Sequence, residues 1–482
     1  MTDGDLKQKT ATSIVWSTID RFGFQVIALG VAIVTARLLS VDDFGLIGAL
    51  AIFTQLSNVL VESGFSAALI RRKHNTDAEY SAALFFNIAL SGLFYMALYF
   101  SAPAIARYFN MPELCQLARF LFLAIVCNSF GIVPNIRLTR ALAFKQIMIA
   151  DLSAAIGSGV VAIMMAVGGY GYWAIAWQQL LQAAIRTLLL IVFARWRPVL
   201  RASFHVISEI FSFSFVLIIN SVISTTVRYI YNIFIGRYYT KTDLGYYAQA
   251  FKLQNIPSQI VSMALSGVAY PVISSLNNNA ERQLLYFRKL MRINAFFIFP
   301  VMLGLVGIAE NVIVVFLTDK WLPAVPYFRI MVAAAIFAPF QAFCLGTLNA
   351  LGKPRWNFVL ELLRNGLVIL TLVLFHTTIA QMLLGFVAAH FVAYIADLVA
   401  VGRIMRYSLL DHLRDIAPYA LLAGMMLGLV WICGWLLHNI YIALLVQIVV
   451  GLGFYLGLAT LLGSQIMKDA FNMLKNKKIT IG

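Results

Sequence analysis

Seven cations lie inside long apolar stretches of the chain: Arg21, Arg119, Arg186, Arg228, Lys252, Arg329 and Arg364. A charge near the centre of a bilayer costs at least ~2.5 kcal/mol, so each is expected to face a partner, an interface or water. Several sit on polar stripes with helical spacing. Ser13, Ser17, Arg21 and Gln25 recur every four residues with Asp20 beside Arg21, while Gln55, Asn58 and Glu62 fall at i, i+3 and i+7. Gln178, Gln182 and Arg186 form a third stripe, Asn220, Ser224 and Arg228 a fourth, and Lys252, Asn255, Gln259 and Ser262 a fifth. Two uses fit such stripes. They line a water-filled cavity in which the cations meet an anionic ligand, or they form interhelical ion pairs and hydrogen bonds that hold a bundle together.

On the cavity reading the candidate lining residues are Arg21, Gln55, Asn58, Arg186, Arg228, Lys252, Asn255 and Arg364. Asp20 and Glu62 then pair with Arg21 or titrate, as candidates for proton or sodium coupling. Arg119 and Arg329 lie within about a turn of predicted helix ends, where long side chains snorkel to the headgroups. The histidines and the four cysteines show no metal-ligand spacing, so no catalytic residue, metal or cofactor is expected.

The stretches that carry these groups are membrane spans. The chain is 61% hydrophobic and 12% charged, against about 25% charged for a soluble domain. Hydropathy and punctuation by Gly, Pro and charge place spans near 13–36, 44–70, 82–102, 114–135, 147–168 and 172–194. A second series lies near 211–235, 249–275, 291–317, 327–351, 358–377 and 381–402, and a last pair near 416–437 and 440–462. The expected fold is all-α and integral to the membrane, with fourteen transmembrane helices. The net charge of +16 is scattered between spans, which argues against nucleic acid. Alternate connections hold 24 and 5 loop cations, and the richer side includes both termini, so both are expected in the cytoplasm.

The first twelve spans read as two copies of a six-helix unit. "ARLLSVDDFGLIGAL" (36–50) and "GRYYTKTDLGYYAQA" (236–250) match Arg37 with Arg237, Asp43 with Asp243 and Gly45 with Gly245. "RALAFK" (140–145) finds a counterpart in "NALGKP" (349–354). An even number of helices per copy gives both the same orientation, related by an axis along the membrane normal. The domains expected are 1–204, 205–406, and 407–482 with the last helix pair and a basic tail. Gly424 with Gly428 and Gly453 with Gly457 have GxxxG spacing, which suits close helix packing or is incidental.

These segments resemble a known family. "ARLLSVDDFGLIG", "ESGFSAALIRRK", "VPNIRLTRALAFK", "RWRPVL", "IGRYYTKTDLGYYAQAFKLQNIP", "AYPVISSL", "LTDKW" and "NALGKPRW" are similar, in order and spacing, to the lipid-linked oligosaccharide and polysaccharide exporters of the multidrug/oligosaccharidyl-lipid/polysaccharide superfamily. The colanic acid and capsule branch is the nearest in kind. The resemblance implies two six-helix lobes in a V beside the final helix pair. It also implies alternating access for an undecaprenyl-diphosphate-linked glycan, carried from the cytoplasmic to the periplasmic leaflet of a bacterial inner membrane. Membrane lipids and the polysaccharide polymerase machinery are the further partners implied. Relatives often carry an acid near the middle of span seven, where Tyr231 and Asn232 stand here. A multidrug or cation exporter of the same superfamily is the nearest alternative, and it would need an acidic cavity. A membrane polymerase or ligase would need a sizeable extramembrane loop, whereas the longest polar connection lies near 276–290.

Overall fold

The computed structural model describes residues 3–62, 69, 75–199, 205–275, 279–464 and 466–468. Within it the side chains of 3–11, 14, 61, 62, 205–217 and 259–275 lie outside the description. Glu62, Gln259 and Ser262 therefore lie outside the described side chains, as do the loop cations Lys7, Lys9, Arg71, Arg72, Lys73, Arg201, Lys475, Lys477 and Lys478.

All regular structure among the described residues is helical. The first series is α1 (Asp3–Leu38), α2 (Val41–Glu62), α3 (Asp77–Phe109), α4 (Leu114–Leu121), α5 (Leu123–Arg140), α6 (Phe144–Val167) and α7 (Trp173–Ala194). It is followed by α8 (His205–Tyr238), α9 (Lys241–Ser275), α10 (Ala280–Leu317), α11 (Val325–Ala335), α12 (Phe337–Ala350), α13 (Pro354–Leu374), α14 (Ile379–Met405), α15 (Leu409–Leu436) and α16 (Ile440–Leu461). With no water in the hydrocarbon, a helix is the open-ended element that satisfies its own backbone. Twelve stretches among the described residues are long and apolar enough to cross a membrane. α8 and α9, of 34 and 35 residues, are at least as long as most of these.

Side-chain caps start several helices. Thr76 and Glu79 form a reciprocal capping box at α3, and Ser408 and Asp411 form another at α15. Asn279 accepts from Arg282 N at 2.9 Å, so α10 begins at Ala280. The polar connection expected over 276–290 is therefore mostly helix, and Arg282, Arg288, Lys289 and Arg292 ride on the first turns of α10. The expected fourth and tenth spans are each broken once, at Phe122 between α4 and α5 and at Ile336 between α11 and α12.

The chain divides into two compact units, Met1–Ala248 and Gln249–Gly482. In the first, α6 packs against α1 and α7, α5 against α7 and α3, and α2 against α8. Leu138, Ile147, Ala150 and Leu190 form a buried cluster where α5, α6 and α7 meet. Contact with α1 is close because a Cβ on Gly159 would lie 2.4 Å from Val31 Cγ2. Small residues supply that proximity where apolar burial gives no net drive in lipid.

In the second unit α10 packs against α15, α16 and α11, α13 against α14, and α11 against α14. The final helix pair is fixed by polar bonds: Asn311 donates to Gln447 at 2.7 Å, Gln447 to Val430 O at 2.9 Å and Tyr455 to Phe296 O at 2.9 Å. The four GxxxG glycines play no part in this contact. Cβ atoms on Gly424, Gly428, Gly453 and Gly457 would meet nothing within 4 Å, whereas Gly451 faces Val430 Cγ2 at 3.0 Å. The spacing was incidental.

Candidate functional site

In the first unit, Arg186 on α7 donates through Nε to Asp151 Oδ1 on α6 at 2.5 Å. Asp20 on α1 lies in the same neighbourhood, where the charges acting on it are those of Asp151, Arg186 and Arg21. Its Oδ1 is buried without a hydrogen-bond partner. Glycines bring the three helices together: Gly159 places α6 on α1, and a Cβ on Gly157 would sit 3.2 Å from Ile185 of α7. Two arginines and two aspartates thus share one polar pocket of the bundle, with formal charges that cancel. Arg21 itself is exposed.

Elsewhere in this unit Gln55 is exposed and Asn58 half-buried on α2, and Arg228 is exposed on α8. Asn232, one of the two residues at the position where relatives often carry an acid, is buried and donates through Nδ2 to Gly48 O at 3.0 Å. It clasps α8 to α2.

In the second unit Lys252 is exposed, while the amide of Asn255 is turned back on its own helix, donating to Phe251 O at 2.9 Å. Arg364 on α13 lies 3.4 Å from Glu361 Oε1, one turn earlier. It is also the charge acting on buried Asp397 of α14 and on His390, whose Nδ1 is 3.0 Å from Phe386 O. Arg364 is therefore set among two carboxylates and an imidazole.

Arg119 and Arg329 do not reach outward. Arg119 donates through Nε to Tyr99 O at 3.4 Å with its guanidinium 4.4 Å from the Tyr99 ring centroid, and Arg329 donates to Val306 O at 3.3 Å. Each is folded against the preceding long helix, α3 or α10, which replaces the expected snorkelling. The cation-π contact and the carbonyl meet the charge locally.

Two further clusters hold helix ends. Asp77 accepts from Arg137 at 2.6 Å and from Trp196 Nε1 at 2.9 Å, tying α3 to α5 and to the segment after α7. In the second unit Asp415, its side chain 2% exposed, accepts from Arg292 at 2.6 Å, Arg288 at 2.8 Å and the Tyr407 hydroxyl at 3.0 Å. Burial, together with the adjacent Asp415 charge, pushes the Tyr407 hydroxyl above the ordinary phenol range, so it remains the donor. His412 stands between the Tyr394 hydroxyl at 2.5 Å and the Tyr407 hydroxyl at 3.3 Å.

Sequence reasoning missed Asp151, Glu361, Asp397 and Asp415. Glu361 and Arg364 were legible as an i, i+3 pair, but the others meet their partners across helices with no fixed spacing. The carboxylates change the electrostatic picture. Arg186 and Arg364 have partners, whereas among the described residues Arg21, Arg228 and Lys252 have no carboxylate within 4 Å.

Comparison with known proteins decides the family. Residues 34–326 match the family described as polysaccharide biosynthesis protein. The chain belongs to that family. Relatives of this polysaccharide biosynthesis protein include the succinoglycan biosynthesis transport protein ExoT of Rhizobium meliloti (strain 1021), 23% identical over 337 residues, covering 70% of this chain and 68% of ExoT. Another is the lipopolysaccharide biosynthesis protein WzxC of Escherichia coli (strain K12), 23% identical over 357 residues, 72% of this chain and 69% of WzxC. In fold it is similar to the lipid II flippase MurJ in an inward closed conformation, with a TM-score of 0.77 at 16% identity, covering 94% of this chain and 100% of MurJ.

Proposed function

We propose that this polysaccharide biosynthesis protein is a flippase, moving an undecaprenyl-diphosphate-linked oligosaccharide from the cytoplasmic to the periplasmic leaflet of a bacterial inner membrane. The observation that carries the reading is the family match over residues 34–326. The names of ExoT and WzxC and the MurJ-like fold support it. It is a transporter and not an enzyme, with fourteen spans once α8 and α9 are counted, six in each of two lobes and a final pair, and with both termini in the cytoplasm. The lobes span 1–204 and 205–406, with 407–482 completing the chain.

The cations divide by their surroundings. Arg21, Arg228 and Lys252 hold the diphosphate, because exposed cations without carboxylate partners are the groups an anion can engage. Arg186 and Arg364 are neutralised locally and shape the wall with Gln55, Asn58 and Asn255. Asp20, with an unpartnered buried oxygen beside Asp151, and Glu62 take a coupling proton or sodium ion. The glycan passes on to polymerase machinery.

Leaflet-resolved labelling of the undecaprenyl-linked oligosaccharide, in cells with and without the protein, tests this reading. Deletion should trap the glycan in the cytoplasmic leaflet and wild type should release it. Arg21→Ala, Arg228→Ala and Lys252→Ala should each slow release about tenfold at unchanged membrane abundance, as loss of about 1.4 kcal/mol of charge-assisted bonding implies. An unchanged leaflet distribution on deletion would sink the flippase and direct attention to cationic drugs. Release that persists after collapse of both proton and sodium gradients would remove the coupling role of Asp20 and Glu62.

A further inference from the structure

The two segments that match in sequence also meet in space. α2 and α9 start alike: Ser40 donates to Asp43 Oδ2 at 2.6 Å, and Thr240 to Asp243 Oδ2 at 2.7 Å. The starts then touch at equal register. Thr242 Oγ1 donates to Asp42 Oδ1 at 2.5 Å, a bond between residues 200 apart. A Cβ on Gly45 would lie 1.9 Å from Lys241 O, and a Cβ on Gly245 would lie 2.2 Å from Val41 O, so each glycine rests on the carbonyl that begins the other helix. Three residues further in, a Cβ on Gly48 would be 3.1 Å from the Ala248 Cβ.

Pairs 42/242, 45/245 and 48/248 lie on an approximate two-fold axis between α2 and α9. No side chain fits between the backbones there, and the contact seals against anything larger than water. Its bonds are nonetheless weak. Lys241 lies 3.6 Å from both Asp42 and Glu113, with Lys241, Asp42 and Glu113 each 39–40% exposed, and such pairs are worth little in water. Two helix N-termini, both the positive ends of their dipoles, also face each other, which favours separation once the acidic caps are solvated. A seal this tight in shape and this loose in bonding suits a contact that opens and closes.

We propose that the Gly45–Gly245 crossing is a gate on the side of the protein opposite the termini, closed in this conformation, which must part for each glycan released. The proposal rests on the flippase reading. Its test uses a variant with Cys115, Cys127, Cys344 and Cys433 replaced by serine, carrying Asp42→Cys and Thr242→Cys. Copper phenanthroline should cross-link the pair in membranes. Leaflet release should then fall about tenfold or more, and dithiothreitol should restore it. Release at full rate with the cross-link in place would overturn the gate, as would failure of the pair to cross-link.

A second readout does not depend on the cargo. Leu244 is 0% exposed beside the contact, so Leu244→Cys in the serine background should react slowly with a membrane-impermeant maleimide added outside. Gly45→Val, which cannot close on the Lys241 carbonyl, should speed labelling about tenfold. Unchanged labelling would overturn the gate even if release were normal. A serine background that labels as expected but moves no glycan would instead sink the flippase reading and leave the gate standing.

Discussion

Asp151 and Arg186 show what a single carboxylate decides. Their side chains are 17% and 32% exposed, so the pair is neither dry nor free in water. Polar pairs inside membrane proteins are worth about 0.6 kcal/mol on average and up to about 1.7. Asp151→Asn should therefore lower unfolding stability in detergent by about 1 kcal/mol, leaving Arg186 charged and unpaired. Adding Arg186→Gln should recover most of that loss, because the orphaned charge is the larger cost. Additive losses in the double variant would mean that the two residues act independently. The cations were legible because a charge interrupts an apolar run wherever it stands. Their partners were not, since Asp151 lies 35 residues from Arg186 and no periodicity links helices that meet only after folding.

At the scale of elements, hydropathy locates helices but underestimates their length. α10 carries Arg288 and Arg292 as helical residues because its first turns project past the apolar stretch and find Asp415 on α15. The break at Ile336 was foreshadowed by Pro339, which cannot donate to the carbonyl four residues back. The corresponding break at Phe122 has no proline or glycine to announce it. Both clasp arginines, Arg119 and Arg329, follow the same plan on the two copies, which the sequence repeat only hinted at. Asp415 is the tie between α10 and α15, and its removal leaves two guanidiniums facing a hole. Asp415→Asn should cost about 3 kcal/mol of stability, read as a lowered melting temperature in detergent, with Asp415→Glu intermediate. A melting temperature equal to wild type would show that the packing of α10 on α15, and not the charge, holds the joint.

For the whole molecule, the asymmetry of 24 against 5 loop cations makes the orientation a measurable claim. Reporters active only in the cytoplasm should work when fused at either terminus, and an alkaline phosphatase fused within the turn at Gly169 to Gly171 should be active outside. Phosphatase activity at a terminus would invert the topology and with it the direction of the gate. The contact between α2 and α9 carries one more consequence. In a symmetric dimer of half-length chains, the residue on the axis meets itself, so an aspartate there faces an aspartate and a lysine a lysine. Here Asp42 meets Thr242, and Lys241 stands opposite Val41. Joining the copies in one polypeptide freed the two sides to diverge, so that repulsion between equals gave way to a donor and an acceptor.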